Sequence, residues 1–161
     1  MDIVNKVFYI EVEPKYMTSN IHQVILSKIK EKYINTCSEK NGYVLDILKI
    51  NHINISGIND CSSNLFFKVD CEIQMLLPTI GKKIDCNVDM IFQHGIFSGF
   101  KNLKVLIPIN TLEHWVHDHS DNTFKKGKKK INLKDTIPVE ITDIRYENCK
   151  YSCIGKLIEN N

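Results

Sequence analysis

Arginine is almost missing from this sequence: Arg145 stands alone beside 20 lysines. That bias, with abundant Ile and Asn, points to an AT-rich genome and says nothing of mechanism. Long apolar runs are missing too. The longest uncharged ones, such as Met75-Leu76-Leu77-Pro78-Thr79-Ile80, fall far short of the roughly 18–20 residues a membrane span needs, so no membrane partner is expected. Asp2, Lys6, Glu11 and Glu13 break the first apolar residues, which argues against a secretory signal and for a protein that is not secreted. None of the six cysteines forms a C-x-x-C pair, so neither a zinc ribbon nor a thioredoxin-type redox site is indicated, and reduced thiols are expected. There is no Gly-rich phosphate loop, no H-E-x-x-H motif, and no Ser-His-Asp or Cys-His arrangement to single out. Catalysis by this chain alone is not expected, and no cofactor is implied.

What is present is an ordinary globular composition, 43% hydrophobic and 25% charged over 161 residues. That length allows one domain or two small ones, and buries about two-thirds of the unfolded surface without a metal or disulfide staple. The charge is local. Residues 1–80 carry a net charge of −1 and residues 81–161 carry +3, yet five lysines of the second half lie in the tract Lys125-Lys126-Gly127-Lys128-Lys129-Lys130. Without that tract the second half would be −2.

In the first half, Phe8, Ile10 and Val12 alternate with Tyr9, Glu11 and Glu13, the period of a strand, which Pro14 stops. Thr18, Ser19 and Asn20 offer N-cap oxygens, with Gln23 three residues after Asn20, a capping-box pattern. A helix is expected over Ile21 to Tyr33, with Ile21, Val24, Ile25, Ile29 and Tyr33 on one face. Strands follow over Tyr43 to Ile55 and Asn64 to Leu77, giving the order β-α-β-β.

The second half alternates differently. Ile84, Cys86, Val88, Met90 and Phe92 alternate with Asp85, Asn87 and Asp89, a half-buried strand. Gln93-His94-Gly95 is a turn; Ile96 to Phe100 and Leu103 to Ile109 are further strands. A polar stretch of some 25 residues holds the lysine tract, and Thr136 to Tyr146 with Cys149 to Leu157 form a last hairpin. Five short strands with one long connection between the third and fourth is the pattern of a five-stranded OB-type barrel, a fold that binds single-stranded nucleic acid on a sheet face. The fold class is therefore β-rich α+β, with domains expected at 1–80 and 81–161.

The run Gly81-Lys82-Lys83-Ile84-Asp85-Cys86-Asn87-Val88, then His94-Gly95-Ile96-Phe97, then Val105-Leu106-Ile107-Pro108 resembles the OB-fold RNA-binding domain first described in a ribosomal protein, with Val105 where that domain has glycine. Phe8 to Pro14, the helix, Cys37 with Gly42-Tyr43-Val44, Phe66-Phe67-Lys68-Val69 leading to Pro78 and Gly81, and the closing Tyr151 to Leu157 resemble the larger stalk subunit of multisubunit RNA polymerases. That family includes the seventh subunit of RNA polymerase II and the archaeal stalk subunit. The resemblance implies an N-terminal tip domain that docks on the polymerase core, an OB domain near nascent single-stranded RNA, and a smaller stalk subunit as partner. It also implies the nucleus, or a viral factory and virion if the AT-rich source is a large DNA virus. The family's glycine- and proline-rich tip loop is here Ser56 to Ser63, with one glycine and no proline.

Phe97 is in phase with Gly99 and out of phase with Ile96, Ser98 and Phe100. If the Ile96 face is core, Phe97 lies on the open face and can stack a base; if not, Phe97 is core and Phe100 exposed. His94 and Tyr151 are candidates for the same surface, and Lys101 and Lys104 extend it. Lys125, Lys126, Lys128, Lys129 and Lys130 are candidate phosphate contacts; as flexible point charges they suit loose, sequence-independent binding. A solvated loop or a localisation signal is the plainer reading of the tract. His114, His117, His119 and Asp118 are zinc-ligand types, but helical spacing turns His119 away and extended spacing pairs only His117 with His119, so no metal site is expected. Trp115 is read as an anchor packing the long connection on the barrel. Cys149 and Cys153, four apart, are expected on one strand face as small buried hydrophobes. The alternative to a stalk subunit is a freestanding OB-fold RNA-binding protein of translation or RNA decay.

Overall fold

The computed structural model describes residues 1–159, and the chain divides into two compact units between Leu77 and Pro78. In the first, β1 (Asp2–Val12) is followed by α1 (Ile21–Tyr33), a short β2 (Cys37–Ser38), β3 (Gly42–Ile58) and β4 (Leu65–Leu76). They form one antiparallel sheet in the order β1-β4-β3-β2. Alternation sends Phe8, Ile10 and Val12 of β1 to the face that α1 covers, where Ile25 and Ile29 are fully buried against Val44, Ile47, Phe67, Val69 and Ile73. Each such side chain contributes roughly 1.5–3 kcal/mol by leaving water, which is what holds a helix of modest intrinsic stability in place.

The helix spans the expected residues, but its capping box does not form. Asn20 is the N-cap without a side-chain bond; its carbonyl accepts from Gln23 N and Val24 N, and Thr18 Oγ1 accepts from Asn20 N at 3.4 Å. The loop between β3 and β4 is braced by asparagines. Asn59 N donates to Asn64 O, Cys61 N donates to Asn59 Oδ1, and both asparagine amides donate to Glu11 Oε1 of β1 at 3.2 and 3.0 Å.

The second unit is a closed five-stranded barrel: β5 (Lys83–Phe92), β6 (Gly95–Phe100), β7 (Leu103–Pro108), β11 (Thr136–Glu147) and β12 (Lys150–Leu157), in the order β11-β12-β7-β6-β5 with β11 returning to β5. The β12–β7 pair is parallel and the others antiparallel, which is the OB connectivity. Cys86, Val88, Ile96, Leu103, Val105, Ile107, Val139 and Ile141 fill the interior. Gly155 of β12 lies where a Cβ would come within 2.4 Å of Val139 and 3.0 Å of Val105, so only glycine lets the barrel close there.

Two expectations are corrected. The polar connection is not an open loop: β8 (Val116–Asp118), β9 (Thr123–Lys126) and β10 (Lys129–Ile131) form a second, three-stranded antiparallel sheet whose inner side buries Phe124 and Ile131. Cys149 is not a buried strand residue. Asn148 and Cys149 are the two residues of the β11–β12 turn, both with positive φ (50° and 57°), and Cys149 is exposed while Cys153 is buried.

Candidate nucleic-acid interface

Register and one bulge build the outer face of the barrel. On β5, Cys86 and Val88 point inward as their alternation predicts. A bulge between Val88 and Met90 then reverses the phase. Ile91 is buried, whereas Met90 turns out to 49% exposure and Phe92 is only half-buried. On β6, Ile96 and Ser98 are buried and Phe97 is 39% exposed, so the Ile96 face is core and Phe97 stands on the open face. Met90 pairs with Phe97, Phe97 with Leu106 of β7, and Leu106 with Ile154 of β12. Directly opposed residues share a face. Met90, Phe97, Leu106 and Ile154 therefore form one apolar row across four strands, three of them exposed and Leu106 half-buried.

Aromatic groups extend the row along the β5–β6 hairpin. The Phe92 ring stacks on Phe97 with centroids 5.2 Å apart and planes 23° apart, and His94, exposed in the two-residue turn, meets Phe92 edge-on at 6.2 Å. On the other side, Lys104 lies opposite Gly99 and Ser152, and its Nζ is 3.0 Å from Asp89 Oδ2. That border is an ion pair rather than free positive charge. Lys101 is exposed in the β6–β7 turn with φ 53°.

Phe97, His94 and Lys104 are thus brought together. Tyr151 is not among them: it is 5% exposed and its ring packs on Tyr146 at 5.0 Å, so it offers no open face to a base. Burial follows from the β12 register, which turns Tyr151, Cys153 and Gly155 inward. Sequence reading missed Met90, Phe92, Leu106 and Ile154. The signal that would have found them is the unbroken pair Met90-Ile91, where strict alternation fails.

The lysine tract lies on the separate sheet. Lys125 donates to Asp118 at 2.5 Å and Asp121 at 3.1 Å, Lys130 to Asp121 at 3.3 Å, and Lys126 to Glu159 at 2.5 Å. Lys125, followed by Ser120, holds the Asp118 carboxyl well below the usual carboxylate range. Lys128 and Lys129, at the β9–β10 turn, make no ion pair among the described residues. Trp115, 9% exposed, donates its indole N–H to Glu159 Oε1 at 2.6 Å. His117 is bonded to Asn122 at 2.9 Å and lies edge-on to His119, and no group of three or more potential metal ligands occurs among the described residues.

Similarity to known proteins covers both units. Residues 9–58 match the SHS2 domain found in the N terminus of Rpb7p/Rpc25p/MJ0397. The chain is 24% identical to the DNA-directed RNA polymerase II subunit RPB7 of Glycine max and 22% identical to the DNA-directed RNA polymerase II subunit 7 of Arabidopsis thaliana. Each alignment spans 91% of this chain and 86% of the relative. An SHS2 domain of this type followed by a five-stranded barrel, with similarity along most of the chain to two subunits 7 of RNA polymerase II, is what the chain shares with these proteins.

Proposed function

We propose that this chain is the larger, non-catalytic stalk subunit of a DNA-dependent RNA polymerase. Residues 1–80 dock on the core subunits and on a smaller stalk partner, and residues 81–161 hold nascent single-stranded RNA. Nucleotide addition belongs to other chains. The compartment is the nucleus, or a viral factory if the source is viral. Similarity to two polymerase II subunits along most of the chain supports the subunit role.

The observation that carries the RNA role is the row through Phe97. Three exposed apolar side chains and a stacked Phe92–Phe97 pair on the outside of an OB barrel suit unstacked bases, each stacking contact being worth about 1–3 kcal/mol. Because Lys104 is already paired with Asp89, the row itself would hold bases more than phosphates. Charge would come from Lys128 and Lys129, and more loosely from Lys101 and from Lys125, Lys126 and Lys130, which are paired. Binding of this kind retains a transcript without reading its sequence.

A freestanding RNA-binding protein would use the same barrel face. Against it stand Ile3, Val7 and Tyr9, at 59%, 41% and 58% exposure on the β1 face that α1 leaves uncovered, which is the apolar surface a subunit would bury. The test of the RNA role is a titration of labelled single-stranded oligoribonucleotides of several sequences at two salt concentrations. Weak binding, alike across sequences and weaker in high salt, is expected. No binding, or binding indifferent to salt, contradicts it.

A further inference from the structure

The β9–β10 ladder sets lysines directly opposite one another twice: Lys125 with Lys130, and Lys126 with Lys129. Like charges so placed repel, and each pair has an acid beside it. For the first, Asp121 reaches both ammonium groups from the turn joining β8 to β9. For the second, the acid comes from outside the sheet. Glu159, two residues past β12, places Oε2 on Lys126 Nζ and Oε1 on the Trp115 indole N–H, and Lys129 adds a longer-range attraction. The segment around it is otherwise tied by the Ile158 N–H to Pro138 O, at 2.9 Å. Clefts open on both sides: one of about 540 Å³ lined by Asn110, Thr111, His114 and Lys156, and one of about 390 Å³ lined by Ile137 and Lys129.

We propose that Trp115 Nε1 and Lys126 Nζ form a phosphate site that Glu159 fills in the free chain, and that a backbone phosphate of bound RNA displaces it. This rests on the RNA role proposed above. A phosphodiester presents two non-bridging oxygens and one negative charge, as the carboxylate does, so the exchange keeps both donors satisfied and Lys126 and Lys129 neutralised. The site is self-masking. An exposed ion pair of ordinary strength holds the tail with an equilibrium constant of about 2–5, and apparent RNA affinity falls by about the same factor.

The experiment compares the full chain with Glu159→Gln, using labelled oligouridylate of eight nucleotides read by anisotropy. Glu159→Gln should bind about two- to fivefold tighter. Glu113 also lines the larger cleft, with no ion pair to Lys126 among the described residues, and Glu113→Gln, which removes the same charge, should leave affinity unchanged. Trp115→Phe keeps the packing but removes the N–H, and should shrink the gain from Glu159→Gln. Emission of Trp115, the chain's only tryptophan, should shift when RNA binds the unaltered chain and barely respond to inorganic phosphate at equal phosphate concentration. Equal affinity of the unaltered chain and Glu159→Gln, with Phe97→Ala still weakening both, overturns the masking and leaves the RNA role standing. A gain from Glu113→Gln as large as from Glu159→Gln reduces the effect to general charge and overturns it too. An equal shift with inorganic phosphate assigns the site to the free ion, and no RNA binding by any variant removes both readings.

Discussion

Met90 stands directly opposite Phe97 across the β5–β6 ladder, and both side chains face outward, because a single bulge after Val88 reverses the phase of β5. Without that bulge Met90 would point into the barrel with Cys86 and Val88, and the row Met90–Phe97–Leu106–Ile154 would be broken at its edge. The relationship locates the proposed base-contacting surface.

Phe97→Ala should weaken oligoribonucleotide binding about 5- to 150-fold, the equivalent of one stacking contact. Because Phe97 is 39% exposed, its loss should leave the melting temperature nearly unchanged. Tyr151→Ala should do the reverse: a side chain 5% exposed leaves a cavity, with about 3 kcal/mol or more lost by analogy with other aromatic truncations in cores. Anisotropy titration and thermal melts of both variants check the pair.

Salt should report the lysine hairpin. Each single-strand phosphate contact contributes about 0.7 to the slope of log affinity against log salt. The double substitution Lys128→Ala with Lys129→Ala should therefore flatten the slope by about 1.4. Lys125→Ala should change the slope less, because its charge is already spent on Asp118 and Asp121.

Thiol labelling should divide the cysteines by depth. Burial pushes the Cys71, Cys86 and Cys153 thiols up to about 11, so little nucleophilic thiolate exists at neutral pH, and all three are covered. Cys61 and Cys149 are exposed. A maleimide under native conditions should modify these two first, and the buried three only when denaturant is added; mass spectrometry of the labelled peptides reads the order.

Acid should loosen the added sheet before the barrel. Lys126, then Trp115, hold the Glu159 carboxyl below its ordinary 4.5, and Lys125, then Ser120, hold Asp118 below its ordinary 3.8. A depressed folded value means that the stabilisation is complete above the ordinary value and is lost as pH falls through the folded one. Trp115 emission should thus hold steady down to the ordinary value of 4.5 and change only below it, and in Glu159→Gln that first change should disappear.

Most of the scaffold was legible because it rests on period. The alternation of Phe8, Ile10 and Val12 and the stripe Ile21–Val24–Ile25–Ile29–Tyr33 gave strand and helix within a few residues. The five barrel strands followed from alternation punctuated by His94-Gly95 and the β11–β12 turn. The bulge shows in the sequence only as the adjacent apolar pair Met90-Ile91, too slight a break to overturn the alternation of Ile84, Cys86 and Val88, and strict alternation therefore turns Met90 and Phe92 inward. The β8–β10 sheet was hidden because lysine and asparagine favour no strand; it is held by Phe124 and Ile131 beneath it and by acids distant in sequence, Glu159 above all. Tyr151 was misplaced for want of the β12 register, which only the closed barrel supplies.

The measurement closest to the central claim is a gentle affinity purification of the tagged chain from its native cell or virion, with mass spectrometry of what accompanies it. The account predicts large RNA polymerase subunits together with one smaller protein in comparable amount. Recovery of RNA or ribosomal components without any polymerase subunit would contradict the stalk assignment, and would leave an OB barrel acting as a freestanding RNA binder.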